Sequence, residues 1–377
     1  MSEYQYIGFR AVEKPVGDKD LEYMRQQSSR AEITPRSFDN EYHFGDFRGD
    51  ALTMLRRGYD IHLHYANFGI RKLLIRLPLN LPKTPGAGPY FTEDGLHFLK
   101  DKQGQGGILS ISPNHEPGDQ DELWNVGQIL DRLVPLRAEL LEGDLRPLYL
   151  AHLAVMSDAE HDPEEAVEGP IPVGLGKLTA AQRALAELFD LSDAFIAAAA
   201  QGNPGQRGQA DQGRLHADWI QNLPQTTKDG WLLDWLADPH TSARNDMLAE
   251  LRKSRPKAAW PTVECGRTIA ELEEAAEGIH KKAVRTAQEK AARQRAKRLA
   301  DMAADPTPTL NETDRLVKMR SRESYTKIAT LLKDLREALA DTKQAGLAEK
   351  QAQKLRKENP KLNLLTGELR RAGFLAK

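Results

Sequence analysis

Cysteine is almost absent from this 377-residue chain. Cys265 stands alone, which excludes an internal disulfide and any Cys-based metal site that lacks a full set of histidine or carboxylate partners. Aromatic residues are scarce at 6%, which favours helices over a β-rich architecture. No stretch approaches the roughly eighteen continuous apolar residues that a spanning helix needs. The opening MSEYQYIGFR lacks the basic and apolar regions of a signal peptide, so a cytoplasmic, soluble protein without membrane attachment is expected. What the chain does have, 40% hydrophobic and 29% charged residues, is ordinary for globular proteins and suits two or three domains with a sizeable interior.

The net charge of −2 conceals a division. Residues 251–377 carry 29 Lys and Arg against 17 Asp and Glu, while residues 1–250 carry 24 against 38. Such asymmetry suits a basic arm directed at nucleic acid, at an acidic partner, or at the acidic body of the same chain.

The pattern predicts an α+β domain with a mostly antiparallel sheet over residues 1–118, helical hairpins over 119–260, a long basic helix over 266–303 and a small helical module over 311–377. Strands are expected at Tyr4 to Val12 and Ala31 to Phe44, with a short helix between them. The clearest hairpin spans Tyr59 to Leu77, where the loop Asn67, Phe68, Gly69 places glycine in the left-handed conformation. Its register then opposes Ile61 to Ile75 and Leu63 to Leu73 on an apolar face, and His62 to Leu74 and His64 to Lys72 on the other. A second hairpin joins Leu96 to Leu99 with Ile108 to Ser112 through Gly104, Gly106 and Gly107. Helices are expected near 123–142, 145–157, 179–189, 192–200, 214–222, 227–236 and 241–254, with Trp219, Trp231 and Trp235 as buried anchors of the later ones. The long helix runs from Thr268 to Met302 and ends at the breaker Asp305 to Pro308.

Within that helix, Ile269, Leu272, Met302 and several alanines form a thin apolar seam. Turned away from it are Lys281, Lys282, Arg285, Lys290, Arg293 and Lys297, a cationic face able to neutralise several phosphates of DNA or RNA. The bland alternative is a solvated face, and no aromatic residue interleaves with these cations to stack on bases.

Other motifs weaken on inspection. Arg183 to Ala197 mimics a helix-turn-helix, but its second helix begins Asp193, Ala194, Phe195, Ile196 and offers no side chain that reads base edges. Gly174, Gly176, Lys177 and Thr179 suggest a phosphate loop, yet Ile171 and Leu178 occupy the positions that need glycine and a hydroxyl. Thr179 more simply caps a helix. Asp60, His62 and His64 share a strand face and could begin a metal site, but Lys72 and Arg76 beside them disfavour a cation, leaving a polar outer sheet face as the expectation. His115, Glu116 and Asp119 occupy a loop around Pro117 and Gly118. No catalytic residue, cofactor or metal is assigned.

The stretches SSRAEITPRSFDNEYHFGDFRGD, RRGYDIHLHYANFGIRKLLIRLP and LVPLRAELLEGDLRPLYLAHL resemble a bacterial protein family encoded beside SWIM-type zinc-finger proteins. The tail, with SYTKIATLLKDLREAL and KLNLLTGELRRAGF, is similar to the C-terminal helical segment of such zinc-finger proteins. The finger itself needs more cysteine than this chain has, so the resemblance implies a companion of a zinc-finger partner and supplies no catalytic residue. Together these readings point to a non-enzymatic adaptor that binds a protein partner, and nucleic acid through the basic helix. An enzyme or ligand-binding protein using His62, His64, His115, Glu116 and Asp119, and a pure scaffold, stand as the alternatives.

Overall fold

Alternation of apolar and polar side chains builds the first part of the chain into a seven-stranded antiparallel sheet. Its strands are β1 (Gln5–Arg10), β2 (Glu32–Ile33), β3 (Ser37–Tyr42), β4 (Ile61–Ala66), β5 (Ile70–Leu77), β6 (Leu96–Lys100) and β7 (Gly107–Ile111), in the order β2-β3-β1-β4-β5-β7-β6. This computed structural model describes residues 3–79, 81–102, 106–115, 122–158, 160–201, 212–237, 247, 250–251 and 260–376, with the side chains of Pro82 and residues 212–216 excepted. Gly104, Glu116 and Asp119, and most of the helix expected at 241–254, lie outside the described residues.

The β4–β5 register is the one the turn dictates: Ile61 faces Ile75, His62 faces Leu74, Leu63 faces Leu73 and His64 faces Lys72. Gly69, at φ +108°, takes the backbone conformation that side chains resist, and its N–H closes the turn on the Ala66 carbonyl at 3.2 Å. The strand expected over Ala31 to Phe44 is instead two. Thr34 N–H bonds the Ser37 carbonyl at 2.8 Å and the two hydroxyls meet at 2.9 Å, a turn that reverses the chain between β2 and β3.

Both faces of the sheet are covered. Tyr6, Leu63, Tyr65, Leu73, Ile75, Leu109 and Ile111 pack beneath α3 (Val126–Leu133), α4 (Leu136–Leu141), α5 (Arg146–Met156), α6 (Ala180–Leu188) and α7 (Asp193–Ala199). Ile7, Phe9, Phe38, Leu74 and Ile108 pack against Leu21 and Met24 of α1 (Asp18–Gln27) and Met54 and Leu55 of α2 (Ala51–Arg57). The division expected at residues 118 and 119 is thus bridged by one hydrophobic core. The outer polar face expected at His62 does not exist either: its ring is buried, stacks on Phe9 at 4.1 Å between centroids, and donates from Nδ1 to the Gly8 carbonyl at 3.0 Å. The amphipathic α1 and α2 are what close that side, since their few apolar residues have nowhere else to go.

Asp60 is fully buried and completely used. Its carboxylate accepts from the N–H groups of Val12 (2.6 Å) and Glu13 (2.9 Å) and pairs with Arg76 at 2.6 Å. Arg137 of α4 reaches the same place, donating to Glu13 at 2.5 Å and to the Arg76 carbonyl at 2.8 Å. The helix expected over 123–142 divides where Pro135 removes a donor, giving α3 and α4.

Thr179 caps α6 with a reciprocal capping box to Gln182, and Arg146 binds the carbonyls of Gly174 (3.4 Å) and Lys177 (3.1 Å), so the glycine loop is tied to the protein through these carbonyls. Phe195, Ile196, Ala198 and Ala199 of α7 are buried, as a packed hairpin requires. In α8 (Gln212–Asn222) and α9 (Gln225–Ala237), however, Trp219 and Trp231 are only half-buried and stack on each other at 5.9 Å, while Trp235 is 62% exposed. Their large apolar area implied anchors; among the described residues no layer covers them.

Contacts divide the chain into two compact units, Met1–His280 and Lys281–Lys377. The second has its own core, formed by Tyr325, Ile328, Leu332 and Leu335 of helix Arg322–Leu339, Ala352 and Leu355 of Leu347–Glu358, and Leu365 and Leu369 of Asn363–Arg371. Among the described residues no helix is long and apolar enough to cross a membrane.

Candidate nucleic-acid interface

One unbroken helix of 36 residues, Ile269–Ala304, carries all six predicted cations. At 1.5 Å per residue it is ~54 Å long. Its start is well specified: Thr268 accepts from the Glu271 N–H at 3.2 Å while Glu271 accepts from the Thr268 N–H at 2.9 Å, a capping box. Arg267, just before it, pairs with buried Glu168 at 2.5 Å and donates to the carbonyls of Ala198 and Ala199 at 3.0 Å at the end of α7. Glu168 also accepts from Tyr149 at 2.5 Å, and burial together with this carboxylate pushes the Tyr149 phenol pKa up. Ile269, Leu272 and Ala276 then sink into the core of the first unit.

From His280 to Arg298 every residue is exposed. The expected seam is therefore buried only at its two ends, by Ile269, Leu272 and Ala276 and again by Met302. Its middle is alanine, whose single methyl gives too little area to hold a cover. Helix persists there because Ala, Lys, Arg, Gln and Glu are strong helix formers.

Lys281, Lys282, Arg285, Lys290, Arg293 and Lys297 all face solvent. Arg285 meets Glu289 one turn on at 2.8 Å, with both side chains largely exposed, a pair worth at most about half a kcal/mol. Lys282, Lys290, Arg293 and Lys297 have no ion-pair partner among the described residues. Two further cations that sequence reasoning set aside, Arg295 and Arg298, are engaged: Arg295 binds Glu337 at 2.6 Å and Arg298 binds Asp334 at 2.5 Å, both on helix Arg322–Leu339. At 100° per residue these two point about opposite to Lys282 and Arg293, so the contact uses the back of the helix and leaves the cationic side open.

The charge division is as sharp at the structural boundary as at residue 250, because residues 251–280 carry five Lys and Arg against five Asp and Glu. Residues 281–377 hold 24 Lys and Arg against 12 Asp and Glu, and residues 1–280 hold 29 against 43.

Of the alternative candidates, His62, His64 and His115, the ones among the described residues, do not converge. Burial pushes His62 down to about 3, and His64, whose Nε2 meets Gln5 Oε1 at 3.1 Å, is pushed down to about 4 by burial and then by Lys72, so both are neutral imidazoles near pH 7. They face α1 and α2, whereas the residue before His115, Asn114, is tied to Asp158 at 2.8 Å and Glu160 at 2.6 Å beyond the end of α5, on the other side of the sheet. Among the described residues no group of three or more His, Cys, Asp or Glu could hold a metal ion.

Two cavities escaped sequence reasoning, because each is assembled by the fold. A polar groove of about 540 Å³ lies between β3 and the start of α3, lined by Tyr6, Arg30, Asp39, Asn125 and Gln128, with Tyr6 hydrogen-bonded to Asp39. An apolar cleft of about 490 Å³ lies along α8 and α9, lined by Ile220, Leu223, Trp231, Leu232 and Trp235. Compared with protein-family models, with curated proteins and with solved structures, the chain matches none.

Proposed function

We propose that this protein is a non-enzymatic accessory or adaptor protein that engages nucleic acid through the exposed helix 281–298. The observation that carries the reading is the exposure of a continuous basic helix over 280–298, on which Lys282, Lys290, Arg293 and Lys297 have no ion-pair partner among the described residues. A free cation beside a phosphate releases condensed counterions, whereas one already held by a carboxylate must first lose that partner. The confinement of net positive charge to residues 281–377 supports the same reading. A SWIM-type zinc-finger protein is the partner that the family resemblance implies for this adaptor, and a complex of the two purified proteins on gel filtration is the expected result.

The decisive measurement is a salt series of binding to generic DNA and RNA. Four to six phosphate contacts predict a slope of log affinity against log salt of about −4 to −5, a loss of roughly a hundredfold to a thousandfold between 50 and 200 mM. Replacing Lys281, Lys282, Arg285, Lys290, Arg293 and Lys297 by glutamine should abolish most of the affinity and the slope. Absence of binding at low salt, or indifference to these substitutions, leaves a scaffold without a nucleic-acid role.

A further inference from the structure

Around an ideal helix the six cations occupy one half of the circumference. Lys281 and Arg285 lie at one edge of that half, Lys290 and Lys297 at the other, and Lys282 and Arg293 between them. On the same central line, at spacings of four, three and four, fall Lys282, Thr286, Glu289 and Arg293. Alanines at 283, 287, 291, 292 and 296 keep the rest of the segment narrow. Resting on the nucleic-acid reading above, we infer that the ligand is B-form duplex DNA, with residues 281–297 seated lengthwise in its major groove.

Three observations favour this ligand over other nucleic acids. The first is width: a helix about 10–12 Å across matches a major groove about 12 Å wide, so cations at opposite edges reach the phosphates of opposite strands. A helix lying across a single backbone would use one edge and leave the other idle. The second is the absence of any Phe, Tyr, Trp or stacking platform in residues 281–298, which single-stranded ligands call for. Duplex RNA is disfavoured because its major groove is too deep and narrow for side chains to read.

The third is Glu289. A carboxylate amid cations opposes binding that relies on phosphates alone. On the groove-facing line it has a use, since it accepts a hydrogen bond from the cytosine amino group, as Arg293 donates to guanine and Thr286 contacts thymine or either partner. The 2.8 Å contact with Arg285 is exchanged on binding, which frees Arg285 for its edge phosphate and Glu289 for the base.

The test compares duplex DNA, duplex RNA and single-stranded DNA of equal length and matched sequence, bound to the full chain at one salt concentration. Duplex DNA should bind at least tenfold more tightly than the other two. Substituting Lys281 and Arg285 by glutamine, and separately Lys290 and Lys297, should each lower the salt slope by about 2, with helix content by circular dichroism unchanged because glutamine is a good helix former. Equal affinity for duplex RNA or single strands overturns the groove assignment while the broader nucleic-acid reading survives. A salt slope sensitive to one edge only also overturns it. No binding to any of the three removes both.

Discussion

His62 shows how a single side chain can be placed correctly in a strand and wrongly in a protein. Its register partner Leu74 follows from the turn, but alternation says only which residues share a face, and whether that face meets water depends on what packs over it. The consequence is measurable. With its folded pKa near 3 and an unfolded value near 6.5, the neutral ring is favoured by the folded state, so its contribution is complete above about pH 6.5 and is lost as pH falls towards 3. Through this group alone the loss approaches about 1.4 kcal/mol per pH unit. His62→Asn retains a donor for the Gly8 carbonyl without the titration, and should flatten the fall in denaturant-measured stability between pH 6.5 and 4. Identical slopes for the two proteins would refute the assignment. Arg267 is a residue that sequence reasoning passed over, because its partner Glu168 lies 99 positions away. Arg267→Ala strands a buried carboxylate and should cost roughly 3–5 kcal/mol by urea unfolding, whereas Arg267→Lys recovers part of it without the bidentate fork. A cost below about 1 kcal/mol would show that water replaces the guanidinium.

At the scale of elements, the long helix was legible from end to end, since Thr268 and Glu271 form its capping box and Asp305 to Pro308 its stop. What the sequence concealed was where cover ends, because an alanine seam reads equally as tight packing and as no packing at all. This difference has a direct test. In a helix held by packing, substitution of an exposed alanine is partly absorbed by neighbours; here nothing absorbs it. Ala287→Gly with Ala291→Gly should remove about 1 kcal/mol of helix stability each and weaken DNA binding accordingly. The unfolding of the two cores should not move. Unchanged binding would mean that these residues need not be helical to act. The pairing of β6 with β7 was equally legible, whereas β2 and β3 read as one strand, because the hydroxyl pair of Thr34 and Ser37 that folds them apart looks like ordinary strand chemistry.

For the whole molecule, the two hydrophobic cores specify two unfolding events. Leu63 and Leu332 are both fully buried, one in each unit, and truncation of either to alanine should cost about 2–5 kcal/mol. Leu63→Ala is expected to shift one calorimetric transition and Leu332→Ala the other. A common shift would indicate that the units melt as one. The partition of charge was readable from composition, whereas the structural boundary at residue 280 needed the fold, because residues 251–280 are neutral and leave the charge the same on either cut. The tryptophans teach a last lesson about observing this protein. None of the five indoles is buried, whereas Tyr59, Tyr65, Tyr90 and Tyr149 are fully enclosed. Emission excited through indole will therefore be readily quenched by acrylamide in the native state, and the change on melting of the first core will come chiefly from Trp260, which packs against that core and donates to the Val173 carbonyl. Loss of native packing will register also in the near-ultraviolet dichroism of the enclosed phenols.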